Sequence, residues 1–494
     1  MEAMQLLAVG VALLAIVAVA AYRRRRRSRH APRLHTTKPM PVIEVGDADV
    51  ARRLIIDHAD SFSNHHAVAL AVDFDAGHPK TQSITSAPYG PLWRALRGNL
   101  TANILHPSRL PHLVLPIQRH AVEALVADLS ASASARGGEA VVAVRDGVYA
   151  AVFATMARLC LGGDGEEIGD IPAMQRTLRE FFHSGVDARL LARSRLLRLL
   201  HWRQWRHLLG TRRRLAELFG PAIAARRRRG NCGIISTYVD SLLDVRIPND
   251  NDGDVAEAET AGGESLGRRR ALREDEVVRL VWEFLGSSTE AVVACVEWTL
   301  ARLVTEPEVQ KKLHQELIAH RKGQISDERL RDFPYLRAVI LESLRLHPPL
   351  PLVVREVGPE GAVLAGAARP PDGTFVRFTF LAEDIGRDHR AWTDPEMFRP
   401  ERFLAGGEGE DVSPVPGPKE IKMMPFGAGR RHCPGAGLSM IHVGSFVAAL
   451  VREFHWEMPA DDGAGVDLTA INALFVKVMA SPLKARITAR ASQS

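Results

Sequence analysis

One cysteine constrains this chain more than any other residue. Cys433 sits in the run Met424-Pro425-Phe426-Gly427-Ala428-Gly429-Arg430-Arg431-His432-Cys433-Pro434-Gly435-Ala436-Gly437. An apolar helical pattern follows at once: Leu438, Met440, Ile441, Val443, Phe446, Val447, Leu450, Val451 and Phe454. The thiol therefore stands at or just before a helix N-terminus, where free amides and the helix dipole favour an anion, here a thiolate. The glycines let the backbone approach a flat ligand and fold around the sulfur. Arg431 supplies charge for an acidic group on that ligand. Such a loop can hold a metal through one soft sulfur. Taken alone, a lone cysteine beside a glycine turn is as readily an inert core residue. A dinucleotide loop at Gly427-x-Gly429 fails, because position 432 is His where a third Gly is needed and no hydrophobic strand leads in.

The rest of the chain narrows the setting. It has 494 residues, 46% of them apolar, enough for a large core. The four cysteines (160, 232, 295 and 433) form no C-x-x-C pair, which argues against a disulfide framework or structural zinc and for a reducing compartment. The formal charge of +6 is concentrated in arginine runs at 23–27, 212–214 and 226–229. These are solvated faces by default, or surfaces for acidic lipid or an acidic protein. Leu6 to Tyr22 is uncharged and apolar over 17 residues, within the ~17–25 that a spanning helix needs. Arg23 to Arg27 follow it, which orients the bulk of the chain to the cytosol. Because the basic cluster comes after the apolar run, and no small-x-small site intervenes, an uncleaved anchor is expected rather than a signal peptide. The expected organisation is an anchor and basic stop over 1–30, a linker and short first strand over 31–47, and a catalytic domain over 48–494.

Along that domain, Ala48 to Ala59 reads as a helix with Val50, Leu54 and Ile55 inward. Pro88-Tyr89-Gly90-Pro91 opens a helix on which Trp93 and Arg97, four apart, share a face. That is an ordinary amphipathic helix, or an indole and a guanidinium converging on one carboxylate. Residues 117–229 are helical in pattern. Phe181, Phe182 and the leucines at 190–200 lead to Trp202 and Trp205, which suits core packing or a membrane-facing substrate entrance. Residues 248–268 are acidic, Gly-rich and loop-like. Glu274 to Val304 predicts one long helix starting with acids, and Thr305-Glu306-Pro307-Glu308 restarts another. A helix over Tyr335 to His347 ends at Pro348-Pro349. After a turn at Pro370–Gly373, Thr374 to Phe378 alternates as a strand. Glu342 and Arg345 meet on one helical face, a pair that in isolation contributes only about 0–1 kcal/mol.

Together these features resemble a known family. Phe426-x-x-Gly429-x-Arg431-x-Cys433-x-Gly435 resembles the haem-binding loop of the cytochrome P-450 superfamily at every defined position. Glu342-x-x-Arg345 and Phe398-Arg399-Pro400-Glu401-Arg402-Phe403 resemble that family's E-x-x-R and P-E-R-F elements. Trp93-x-x-x-Arg97 matches the pair the family places on a haem propionate. Ile385-Gly386-Arg387-Asp388 and Trp392 match plant members. Tyr89 to Arg94, Met423 to Arg431 and Tyr238 to Asp244 are most similar to the plant microsomal group and its eighty-nine family. The resemblance covers about residues 48–490.

The resemblance implies a mainly α fold with a small β region, one large haem domain behind an N-terminal membrane anchor. It implies haem b with its iron on the Cys433 thiolate, in a loop shaped by Phe426, Gly429 and Gly435. Trp93, Arg97 and Arg431 would hold the propionates, with Arg355 a fourth candidate. Glu342, Arg345 and Arg402 would form a buried network behind the loop. The implied reaction inserts one atom of O₂ into a small apolar or aromatic plant metabolite, using NADPH through a cytochrome P-450 reductase at the endoplasmic reticulum membrane. The membrane and the reductase, not nucleic acid, are the expected partners. Candidate pocket residues are the loop 75–88, Phe181, Phe284 and Leu474-Phe475.

Two departures stand out. The long helix reads Ser287-Ser288-Thr289-Glu290-Ala291, so the family's acid is kept as Glu290 but its Thr is Ala291. Thr289 lies about 200° round the helix from 291, whereas Ser287 and Ser288 share that face, so one of these two serines is expected to supply the hydroxyl. The Pro-rich hinge after the anchor is also missing. Either change would suit two alternatives: a haem-thiolate isomerase or dehydratase that needs no reductase, or a catalytically impaired paralogue.

Overall fold

The computed structural model describes residues 41–65, 82–163, 168–183, 195–229, 236–249, 269–319, 332–367, 369–371, 374–459, 465–473 and 475–490. The chain divides into two units, Met1–Pro41 and Val42–Ser494. The expected anchor and its arginine stop lie outside the described residues, as does most of the acidic loop at 248–268. No described helix is long and apolar enough to cross a membrane. The second unit starts before the expected boundary at 48, because the first strand belongs to it.

That strand is β1 (Val42–Val45), followed by helix α1 (Ala48–Arg52). Asp47 caps α1, its Oδ1 accepting the amides of Asp49 and Val50, both at 2.9 Å. The helix expected to reach Ala59 stops sooner, since Arg53–Asp57 widens into a π turn. Leu54 and Ile55 are buried by it, while Val50 is only half-buried. In chain order there follow α2 (Pro91–Asn103), α3 (Leu115–Ser134), β2 (Glu139–Ala143), α4 (Val144–Leu161), α5 (Ile171–His183) and α6 (Trp202–Arg229). Next come α7 (Glu274–Thr305), α8 (Pro307–Ala319), α9 (Pro334–Leu346), β3 (Leu352–Val357) and β4 (Val376–Leu381). The last are α10 (Ala436–Glu453), β5 (Phe454–Glu457), β6 (Ala470–Ala473), β7 (Val476–Met479) and β8 (Lys484–Ala489).

The strands form small sheets. β4 lies between β1, parallel to it, and β3, antiparallel. It is central, and Phe378, Thr379 and Phe380 in its middle are all buried. The alternation expected over 374–378 holds to Phe378, with Val376 and Phe378 buried and Arg377 half-buried, and is lost beyond it at Thr379. Phe62 packs edge-on against Phe378, centroids 5.0 Å apart. The remaining pairings are β2–β8–β5, β6–β7, and Arg246–Pro248 with Arg269–Ala271.

Two apolar cores result. The larger gathers α4, α7, α9 and α10. α7 carries 32 residues, and its dense apolar sequence is explained by packing on nearly every side. The smaller core joins Val45, Leu54, Ile55 and Phe62 to Phe378, Phe380, Met424 and Ala428. It seats the approach to Cys433 on the N-terminal strand and turn. Each such buried side chain contributes about 1.5–3 kcal/mol over exposure.

Candidate functional site

The Cys433 loop is folded by its own amides and by glycine. The Cys433 amide donates to the Phe426 carbonyl at 2.8 Å, His432 N to Gly429 O at 3.1 Å and Gly427 N to Met424 O at 2.9 Å. Gly429 has φ +68, and a Cβ there would lie 2.6 Å from the Ile55 carbonyl oxygen. Only glycine fits that conformation and that approach. Gly435 caps α10, and a Cβ on it would lie 3.9 Å from Cys433 Sγ. Phe426 is half-buried against the main core. Burial pushes the Cys433 thiol pKa up, while the Gly435 amide and the charge of Arg97 pull it down. A cation at the sulfur would complete the stabilisation of a thiolate. Among the described residues no three His, Cys, Asp or Glu side chains converge as a metal site.

Beside the loop is a cluster of cations. Arg431 is 7% exposed and donates to three carbonyls: Ser63 at 2.8 Å, Ile84 at 3.1 Å and Ala87 at 2.6 Å. Its guanidinium lies 4.5 Å from the centre of the Trp93 ring, and that of Arg97 lies 5.8 Å away. Arg97 Nη1 reaches the His432 carbonyl at 2.8 Å. Arg355, on β3, is 2% exposed and donates to the carbonyls of Val354 and Ala428 at 3.0 and 3.4 Å. Among the described residues these three guanidiniums meet carbonyls but no carboxylate. Trp93 Nε1 and Arg355 Nε are buried without a partner. Burial and then mutual repulsion lower the pKa of Arg355 (through Arg431) and of Arg431 (through Arg97). His65 is driven well below its usual range by burial, then by Arg355, Arg431 and Arg97. Buried like charges with orphaned donors are costly, and a ligand bearing carboxylates would relieve them.

Behind the loop, Glu342 is wholly buried. It accepts Arg345 Nε and Nη2 at 2.7 and 2.8 Å, the Arg399 amide at 2.8 Å and Arg402 Nε at 3.2 Å. Arg345 also donates to the carbonyls of Gly386 and Pro395, at 2.8 and 2.7 Å. Arg402 pairs with Glu408 as well. Every member is satisfied, as a buried charge network requires.

On α7, only Ser287, Ser288 and Ala291 escape burial between Arg279 and Ala301. They form one open strip on an otherwise packed helix. Thr289, on the opposite face, is fully buried. Both serine hydroxyls turn back into the helix, Ser287 Oγ to Glu283 O and Ser288 Oγ to Phe284 O, each at 2.6 Å. Glu290 lies at the strip's flank, where its Oε1 accepts the Tyr149 hydroxyl at 2.8 Å. Of the pocket candidates, Phe181 is buried edge-on against Trp282 and Phe284 is buried against Tyr238. Phe475 is half-buried, and Leu474 and residues 75–81 lie outside the described residues.

Three side chains at or near the site gave no sequence signal. His65, Tyr149 and Glu408 are each isolated in their local patterns and matter only through partners far along the chain.

Known proteins resemble this chain over most of its length. The family profile described as "Cytochrome P450" matches residues 30–476. Cytochrome P450 89A9 of Arabidopsis thaliana is 34% identical over 480 residues, spanning 94% of this chain and 87% of that one. Trimethyltridecatetraene synthase of Zea mays is 31% identical over 470 residues, spanning 91% and 80%. A solved zebra fish cytochrome P450 with progesterone superposes with a TM-score of 0.66 at 20% identity, covering 91% of this chain and 93% of the other. That last likeness establishes the fold.

Proposed function

The chain belongs to the cytochrome P450 family, and from that premise we propose that it is a membrane-bound monooxygenase. In this reading it takes electrons from NADPH through a cytochrome P450 reductase and inserts one oxygen atom into a small apolar or aromatic plant metabolite. The observation that carries the haem reading is the unneutralised cluster of Arg97, Arg355 and Arg431, with the orphaned Trp93 Nε1, beside a cysteine that needs a cation. The residues fit haem b, which presents a metal and two carboxylates together. Cys433 Sγ would hold the iron; the three arginines and the indole N–H would hold the propionates. Bound there, haem supplies an iron whose thiolate ligand favours O–O cleavage.

The chain's own residues then do the rest. The Gly435 amide tempers the charge on the sulfur. The open strip at Ser287, Ser288 and Ala291 would face bound O₂ and substrate. Glu290 would bring protons to it, through a Ser287 or Ser288 hydroxyl that has turned away from its helix carbonyl. Membrane placement at the endoplasmic reticulum, catalytic domain in the cytosol, draws support from apolar side chains left in solvent. Leu196, Leu199, Leu200 and Trp202 are 65%, 72%, 67% and 47% exposed beside Arg198, Arg203 and Arg206.

The test is a reduced, CO-bound difference spectrum of the expressed protein. A Soret band at the thiolate position, abolished in Cys433→Ala, is the expected result; its absence from the parent protein refutes the proposal. Peroxide released per NADPH should rise in Ser287→Ala or Ser288→Ala. If neither raises it, those serines do not replace the lost Thr. One observation favours a second reading. With Ala291 at the strip and both serine hydroxyls bonded to carbonyls, an isomerase or dehydratase acting on an already oxygenated substrate would need no proton-delivering hydroxyl. Turnover of a hydroperoxide without NADPH would identify it.

A further inference from the structure

His432 stands next to the cysteine, and both nitrogens of its ring are engaged. Nδ1 lies 2.9 Å from the Gly429 carbonyl oxygen, and Nε2 lies 3.4 Å from Arg97 Nη2. A carbonyl only accepts, so Nδ1 carries the hydrogen. A guanidinium only donates, so Nε2 presents its lone pair. The two contacts thus agree on one tautomer of a neutral ring. The carbonyl oxygen of the same residue takes Arg97 Nη1 at 2.8 Å. Both terminal nitrogens of one guanidinium, on α2, are therefore gripped by a single residue 335 positions later.

Loop closure alone does not call for this ring. The His432 amide already donates to the Gly429 carbonyl at 3.1 Å, so Nδ1 adds a second donor to an oxygen that has one. What the side chain brings that the backbone does not is the acceptor facing Arg97. That arginine bears on the sulfur. Burial lowers the pKa of Arg97, and Cys433 opposes the fall. Burial raises that of Cys433, and the Gly435 amide and then Arg97 oppose the rise. The two charges therefore act on one another directly. On its other side the Arg97 guanidinium lies 5.8 Å from the Trp93 ring centre, next to the orphaned indole N–H. A guanidinium has more N–H groups than His432 occupies, and the rest stay open to a propionate.

We propose that the His432 side chain is a positioning residue for Arg97: it holds that guanidinium between the Cys433 sulfur and the propionate site, and the charge so fixed raises the reduction potential of the bound haem. The inference rests on the haem reading above. A cation kept close to the sulfur draws charge from it and favours the state with one more electron on the iron. The ring gains neither electron nor proton. It acts only through where it keeps Arg97. Without the ring, the guanidinium retains one anchor on residue 432, the backbone carbonyl, and can turn about it.

Three substitutions separate the two contacts of the ring. His432→Asn puts an amide where Nδ1 stood, able to reach Gly429 but not Arg97. His432→Gln puts an amide oxygen where Nε2 stood, able to reach Arg97. His432→Leu offers neither. The haem-loaded proteins would be titrated with dithionite and mediator dyes while the ferric and ferrous bands are followed. A more negative midpoint is expected in His432→Asn and His432→Leu. At the parent's midpoint potential their ferrous-to-ferric ratio should fall about threefold or more. His432→Gln should stay near the parent. A loop contact alone would give the reverse order, with His432→Asn near the parent and His432→Gln displaced. A negative shift in His432→Asn no larger than that in His432→Gln overturns the inference. That comparison decides even if His432→Leu takes up no haem. A parent protein lacking the reduced-CO band would instead overturn the haem reading.

Discussion

Removing the Glu342 carboxylate tests how the support behind the cysteine loop is built. Glu342 takes four hydrogen bonds and has no exposed surface. Its loss does not strand both arginines equally. Arg402 keeps Glu408 and the carbonyls of Thr393 and Asp394. Arg345 keeps only carbonyls, those of Gly386, Pro395 and Met397. One guanidinium is left without a countercharge, which places Glu342→Ala near the lower end of the ~3–5 kcal/mol expected for breaking a buried pair. Against a total of about 5–15 kcal/mol that is a large share. Urea unfolding followed by near-UV circular dichroism would show a lower midpoint at unchanged slope. Glu217→Ala breaks a pair whose side chains are 84% and 60% exposed, and should stay within about 0.5 kcal/mol of the parent. The double variant Glu342→Leu/Arg345→Met should be more stable than Glu342→Leu alone, because it removes the orphaned charge. A Glu342→Ala protein within about 1 kcal/mol of the parent would refute the argument.

Three further outcomes follow from the same geometry. Gly429→Ala forces φ +68 on a residue with a Cβ and drives that atom onto the Ile55 carbonyl; it should cost about 1–3 kcal/mol or more and abolish the reduced-CO band. Burial raises the Glu408 carboxyl, but the Thr393 amide and Arg402 outweigh it and hold the pKa at about 2 against an ordinary 4.5. Its stabilisation is therefore complete above pH 4.5 and lost as pH falls toward 2; acid-unfolding curves of Glu408→Gln should lack that part of the slope. Trp93→Phe removes the orphaned N–H donor and should speed haem transfer to apomyoglobin about tenfold, for about 1–2 kcal/mol of lost interaction.

What could be read in advance, and what could not, divides by the kind of partner involved. The cysteine loop was legible because its chemistry is local: glycines at positive φ, a thiol and a helix start lie within one short run. Glu342 and Arg345 were legible because three residues of helix bring them together. The short α1 and the π turn were not, since the widened turn is set by packing of Leu54 and Ile55 beneath Met424 and Ala428. Nor could the acceptors of Arg431 be foreseen. They are the carbonyls of Ser63, Ile84 and Ala87, and any residue type offers a carbonyl. Tyr149 reads as one more aromatic in an apolar helix, and its bond to Glu290 spans 141 positions. The alternation of β4 was legible as far as Phe378, and the burial of Thr379 beside Phe378 and Phe380 was not, since it is set by the strand's central place between β1 and β3.

The contacts that hold the loop have a kinetic side. Gly429 rests on Ile55, Arg431 on Ser63 and Ala87, and His432 on Arg97. Each joins an early segment to a late one. A nascent chain exposes Ile55, Ser63 and Arg97 long before residues 429–432 have been made, and loops this long close late and slowly. The early segments must wait with Phe62, Trp93 and the edges of β1 unpartnered, which is where such chains aggregate or recruit chaperones. The cysteine that would hold the iron is made only after some four hundred residues have been synthesised. Supplying haem to a growing culture should raise the yield of folded protein by rescuing completed chains, not by templating unfinished ones.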